Sequence, residues 1–262
     1  MLGLDGGYVR NRHPRPERNF EVVAGKAVGP EGASRCFAFV RGQGVALECV
    51  REAVAAMGAN LDAEMTVLTD GDSGLREIQK ELAPPGTHLL DWFHLAMRFQ
   101  VLTQTAKGLS QECGVNVRGW VMESLERAKW SLWHGRPSAA GQRLEDLYGW
   151  TCAKREVTPV PVLKLRAGVA DLIRYLELNR DSIPDYGQRY RSGKIISTAM
   201  AESAVNQVVS RRMIKKQQMR WSRWGAQPLL NVRTQVLNGE LQRSFRRWYP
   251  EFDLHEQLES AA

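Results

Sequence analysis

Along residues 1–110 the apolar positions switch between two periods, two residues where a strand is expected and about 3.6 where a helix is. "MLGLDGGYV", "NFEVVAGKAVG" and "RCFAFVRGQ" read as three successive strands, and "GVALECVREAVAAMG" follows with helical spacing. "AEMTVLTDGDSG" is a buried strand that runs into a Gly-punctuated loop. "LREIQKELAP" predicts a helix stopped by Pro84 and Pro85, "THLLDWF" a fifth strand, and "HLAMRFQVLTQTAKGL" a helix closed by Gly108. The order βββαβαβα predicts an α/β fold with a mixed sheet flanked by helices.

Beyond residue 110 the strand period disappears. "VRGWVMESLERAKWSLWHG", "SAAGQRLEDLYGWT" and "VLKLRAGVADLIRYLELNR" are helical patterns separated by Gly and Pro, so residues 111–188 are expected to form an all-helical insertion. Residues 189–262 then supply a helix over "STAMAESAVNQVVSRRM", a basic stretch "IKKQQMRWSRWGAQ", and one helix through "PLLNVRTQVLNGELQRSFRRW" that returns to the first part. The Arg10 to Arg18 stretch, with its two prolines, reads as a polar loop between the first two strands.

Composition narrows the class. A chain of 262 residues with 43% hydrophobic positions is expected to be a soluble globular protein. No run approaches the roughly 18 to 20 apolar residues that cross a bilayer, and the first residues lack a signal-peptide core, so a cytoplasmic location is expected. Cys36, Cys49, Cys113 and Cys152 form no CxxC pair, which argues against a zinc site or a disulfide framework and for reduced packing residues.

Charge adds a partner. The chain carries +7, but residues 189–224 alone hold nine Lys or Arg against one acid, Glu202, so the rest of the chain sums to −1. A block of this kind containing Trp221 and Trp224 suits a phosphate backbone, where cations release counterions and aromatic planes stack on bases. A solvated charged face is the blander alternative. Lys215, Lys216, Arg220 and Trp221 are the first candidates for DNA contact, with Arg211 and Arg212 beside them.

Three carboxylates stand where catalysis would need them. Asp5 is read as closing the first strand and Asp70 as closing the fourth, while Glu202 lies in the first turns of the helix after the insertion. If the first and fourth strands are neighbours, Asp5 and Asp70 meet, and a helix packed across them brings in Glu202. Such a trio can hold two divalent cations for in-line phosphoryl displacement. Taken singly, each Asp before Gly is commonly just a turn residue, and a lone helical Glu a solvated one. Asp72 rivals Asp70, since "DGD" offers two acids, but Asp70 ends the strand directly. Asn206 follows Glu202 by four residues and shares its helical face. No phosphate-binding G-x-x-x-x-G-K-[ST] loop occurs, and no base is placed to activate a Ser or Tyr nucleophile.

"LDGGYVR", "LTDGDSGLREI", "HLLDWFHLAMRFQVLTQTAKGL" and "AESAVNQVVSRRMIKKQQMRWSRWGAQPLLNVRTQVLN" together resemble bacterial insertion-sequence transposases of the Kra type, relatives of the Mutator-like and L-type DDE transposases. The resemblance runs over essentially the whole chain. It implies a ribonuclease H-like catalytic domain, as the βββαβαβα order also does, with a triad of Asp5, Asp70 and Glu202 interrupted by a helical insertion. It implies Mg²⁺, with Mn²⁺ as a substitute and two ions at the site. The implied partners are double-stranded DNA, both element ends and target, and further copies of the chain on DNA.

Asp91-Trp92-Phe93-His94 is similar to an acid-and-His pattern at the end of the fifth strand in related transposases, with one extra residue between acid and imidazole. Asp91 and His94 are thereby accessory candidates, Asp91 supporting the metal shell and His94 contacting phosphate or orienting an acid. The alternative is that they only cap and pack the start of a helix. Members of the family usually carry a long region before the first catalytic strand, and here four residues precede Asp5, so an N-terminally truncated member is expected. A catalytically silent DNA-binding remnant, or a structure-selective nuclease of the same fold, is the competing expectation.

Overall fold

Five strands form, β1 (Leu2–Arg10), β2 (Asn19–Val28), β3 (Ser34–Val40), β4 (Thr66–Thr69) and β5 (Thr87–Leu90), the last two short continuous buried runs. They form one mixed sheet in the order β3-β2-β1-β4-β5. β1 pairs antiparallel with β2 from Leu2↔Ala27 to Arg10↔Asn19, and β2 with β3 from Val22↔Val40 to Val28↔Ser34. The computed structural model describes residues 1–13, 17–29, 32–44, 46–59, 64–82, 87–109, 116–153, 158–214 and 220–253, and within these not the side chains of 46, 82, 200–202, 210–212 and 214.

The described helices are α1 (Ala46–Ala55), α2 (Ser73–Leu82), α3 (Trp92–Lys107), α4 (Val117–Trp133), α5 (Pro137–Cys152), α6 (Val160–Leu178), α7 (Tyr186–Arg191), α8 (Ala199–Val205), α9 (Arg223–Leu237) and α10 (Leu241–Arg246). The first eight elements follow the βββαβαβα order that the periodicity predicts. None of the described helices is long and apolar enough to cross a membrane.

By packing, the chain forms two compact units. One comprises Met1–Val67, Ser73–Gly86 and Thr198–Ala262, the other Leu68–Asp72 and Thr87–Ser197. In the first unit, the period-two alternation sends successive side chains to opposite faces of the sheet. Leu2, Leu4, Val23, Ala27, Phe37 and Phe39 pack with Val50 and Ala53 of α1 and with Leu75 and Ile78 of α2. Val9, Phe20, Val22, Ala24, Ala38 and Val40 pack instead with Val205, Val208, Val209, Met213, Ala226 and Leu230.

The second unit is mostly helical, as the loss of strand period predicts. Phe99 and Leu102 of α3, Leu125 and Leu132 of α4, Leu144 and Leu147 of α5, and Val169 and Leu172 of α6 form its core with Leu90 of β5. Deleting one such fully buried leucine side chain costs about 2 to 5 kcal/mol, so this layer is a stable frame for its surface residues.

Three local expectations are corrected. Asp5 does not close β1 but lies within it, because the ladder with β2 carries the strand through Gly6↔Val23 and Gly7↔Val22 to Arg10. The helix expected over 197–213 is α-helical over Ala199–Val205 and π-helical over Asn206–Ile214. Val205, Val208, Val209 and Met213 of this segment pack on the sheet, and that packing sets its course. The single C-terminal helix is two: α9 starts earlier, where the Ser222 hydroxyl accepts from Gly225 N at 3.0 Å, and the helix breaks at Gly239, whose φ of +69° an L side chain resists.

Candidate metal centre

Asp70 follows β4 directly and opens a tight turn. Its Oδ1 accepts from Asp72 N at 2.9 Å, and Gly71 adopts φ +82°. A Cβ on Gly71 would stand 2.6 Å from Leu90 Cδ1, so glycine is required both by the backbone and by the neighbouring strand. The Asp70 carbonyl accepts from Tyr175 Oη of α6 at 2.6 Å. Burial pushes the Tyr175 phenol well above its ordinary range, so it stays protonated and donating. Asp72, in contrast, is exposed in the loop.

The residue before Asp70 is held as firmly. Thr69 Oγ1 accepts from Gly71 N at 3.1 Å and lies 2.9 Å from Nε2 of buried His88, whose Nδ1 lies 2.6 Å from Ser182 Oγ. One imidazole thus ties β4, β5 and the 3₁₀ turn Arg180–Ser182 together, with both ring nitrogens engaged. Tyr186 Oη likewise donates to the Leu90 carbonyl at the end of β5.

Asp91 occupies the junction of β5 and α3. Its N–H donates to Thr69 O at 2.9 Å, which sets it beside Asp70. Its side chain is fully buried: Oδ1 caps α3 by accepting from Phe93 N at 2.6 Å, and Oδ2 lies 3.2 Å from His94 Nδ1. The cap is therefore real, and it also orients the imidazole. An Nδ1–H donated to Asp91 leaves the lone pair on Nε2, the arrangement found in histidines that bind metals.

β1 and β4 are neighbours in the sheet; Asp5 lies within β1 and Asp70 directly follows β4. Asp70 and His94, both in the second unit, are half-buried, and each offers a ligand atom within 4.8 Å of the other; Asp5, in the first unit, is also half-buried. A carboxylate and an imidazole at that spacing are donors that suit a borderline divalent cation. His94, which the sequence places only as an accessory residue, is thus brought beside Asp70. The signal was present in its spacing of three from Asp91, which puts both on one side of a first helical turn.

Glu202 lies in α8, which packs across β1 and β2. The face it covers is the one to which Ala24 belongs, and Ala24 is the register partner of Asp5. The Glu202 side chain is outside the described residues. Asn206 is exposed and begins the π-helical segment, so the α-helical four-residue spacing from Glu202 does not continue through it.

The basic candidates divide. Arg191, Lys194 and Arg220 are exposed. Arg189 is half-buried, donates to the Ile195 carbonyl, and has its guanidinium pushed down by burial. Arg223 pairs with Glu17 and donates to the Arg41 carbonyl. Trp221 is half-buried against the β1–β2 core and bridges to Asn11, whereas Trp224 is 84% exposed. Arg211 and Arg212 lie on the π-helical segment with undescribed side chains, and Lys215 and Lys216 fall outside the described residues. Cys36, Cys49 and Cys152 are free thiols.

No protein-family model matches this chain, and no curated protein is significantly similar to it.

Proposed function

We propose that this protein is a metal-dependent DNA strand-transfer enzyme, a transposase of the DDE type on a ribonuclease H-like sheet. The observation that carries the reading is the proximity of Asp70 to His94, the imidazole that buried Asp91 orients. It is supported by the βββαβαβα order, by the adjacency of β1 and β4, and by the packing of the Glu202 helix over the strand that bears Asp5. The exposed cations of an otherwise near-neutral chain suit a polyanionic substrate.

In this reading Asp5, Asp70 and Glu202 hold Mg²⁺ or Mn²⁺, two ions in all, with His94 beside them. Bound there, divalent cations supply Lewis acidity that readies water or a 3′-hydroxyl for attack and stabilises the departing oxygen. The protein's own part is positional. Asp91 fixes the tautomer and angle of His94, Tyr175 fixes the Asp70 backbone, and His88 fixes the strand end that leads to it. Substrate is double-stranded DNA, the element ends and a target, engaged by more than one copy of the chain.

The test is nicking and strand transfer of a labelled duplex carrying the element ends, with Mg²⁺ or Mn²⁺, comparing the parent with Asp70→Asn and Glu202→Gln. Both variants are expected to bind DNA like the parent and to lose cutting by more than about 100-fold, beyond the 10- to 100-fold loss typical of outer-shell partners. A parent that binds DNA yet neither cuts nor joins it with any metal would support the DNA-binding remnant instead.

A further inference from the structure

The turn that carries Asp91 and His94 also carries Trp92 and Phe93, and these line something else. Between α3 and α4 lies a cavity of about 510 Å³, walled by Phe93, Met97, Trp130 and Trp133. Its size is that of a small-ligand site. Phe93, Met97 and Trp130 are each about half exposed (48, 49 and 49%), although the helices they stand on are packed against each other. The polar groups on the wall are few and fixed. Glu126 accepts from Trp130 Nε1 and from Lys129 Nζ, both at 2.8 Å, so one carboxylate sets the indole and the ammonium together. Gln100 adds an amide on the α3 side.

We propose that this cavity takes the base of a single unpaired nucleotide of the DNA substrate, an inference that rests on the strand-transfer reading above. Aromatic faces stack on any base, the Gln100 amide can both donate to and accept from a base edge, and Lys129 supplies a cation for the adjoining phosphate. Phe93 and His94 are consecutive, with Cα atoms about 3.8 Å apart, so the cavity starts one residue from the imidazole beside Asp70. A wholly apolar partner would leave the Gln100 amide without a matching group, whereas a base edge offers it both a donor and an acceptor.

The experiment is a fluorescence-anisotropy titration of the full chain in Ca²⁺, with three labelled duplexes: fully paired, bulged with one unpaired adenosine, and bulged with one abasic unit. The abasic duplex is bent as the adenosine bulge is but presents no base. The parent is expected to bind the adenosine bulge roughly tenfold more tightly than the abasic one. Trp130→Ala and Phe93→Ala should each abolish that preference while binding paired duplex like the parent, and should one of them unfold, the other decides. Equal affinity of the parent for the two bulges, or a preference that survives both substitutions, overturns the inference. Binding to paired duplex without preference overturns it alone. Binding to none of the three overturns it together with the DNA reading.

Discussion

Tyr175 reaches the carbonyl of Asp70 from 105 residues away in the chain, and no local pattern announces it. Tyr175→Phe keeps the ring under Arg98 but removes the hydroxyl's bonds to the Asp70 carbonyl and to Arg98, so it is expected to lower stability by about 1 kcal/mol and to slow cutting without weakening DNA binding. The bond also sets an alkaline limit. The unfolded phenol titrates near pH 10 and the folded one higher, so its contribution is full below pH 10 and is lost as pH rises above it. Urea melts at pH 8 and pH 10.5 should show the parent losing more stability than Tyr175→Phe, and an equal loss in both would contradict the assignment. Asp91 and His94 are different, because their spacing at a strand–helix junction is visible in the sequence. What the sequence leaves open is whether they cap or serve the acids, and the structure shows that one buried carboxylate caps the helix and orients the imidazole.

At the scale of elements, the turn Asp70–Gly71–Asp72 joins backbone geometry to the site. Gly71→Ala would force a side chain into φ +82° with its Cβ 2.6 Å from Leu90 Cδ1 and 3.0 Å from Asn179. The expected cost is roughly 1 to 3 kcal/mol in a thermal or urea melt, with loss of metal-dependent cutting as Asp70 shifts. An alanine variant as stable and as active as the parent would show that the turn does not position Asp70. The strands and most helices were legible because their periods differ and because Pro and Gly mark the ends. The position of Asp5 within β1 was not, since Gly6 and Gly7 look like a strand end and only pairing with β2 carries the strand onward. The π-helical turn after Val205 was hidden for a related reason, as it answers to the sheet beneath it and not to local propensity. Gly239 marked the break between α9 and α10 openly, but the apolar spacing on either side outweighed it in the reading.

At the scale of the whole molecule, the chain's excess charge proved to be a mixture. Arg189 and Arg223 are committed to contacts within the protein, while Arg191, Lys194 and Arg220 are exposed, a division that no count of residues can make. Asp5 and Asp70 stand out in the sequence as acids beside glycines after apolar runs, and the first lies in one compact unit while the second lies in the other. The place of His94 beside Asp70 depends on the helix start that Asp91 builds. The most direct measurement is therefore of the ion itself: titration of Mn²⁺ into the parent, Asp5→Asn and Asp70→Asn, with duplex present, followed by the electron paramagnetic resonance of free Mn²⁺. The account predicts saturable uptake by the parent and affinity at least about tenfold weaker in each variant. No uptake by the parent, or equal uptake by all three, would contradict it.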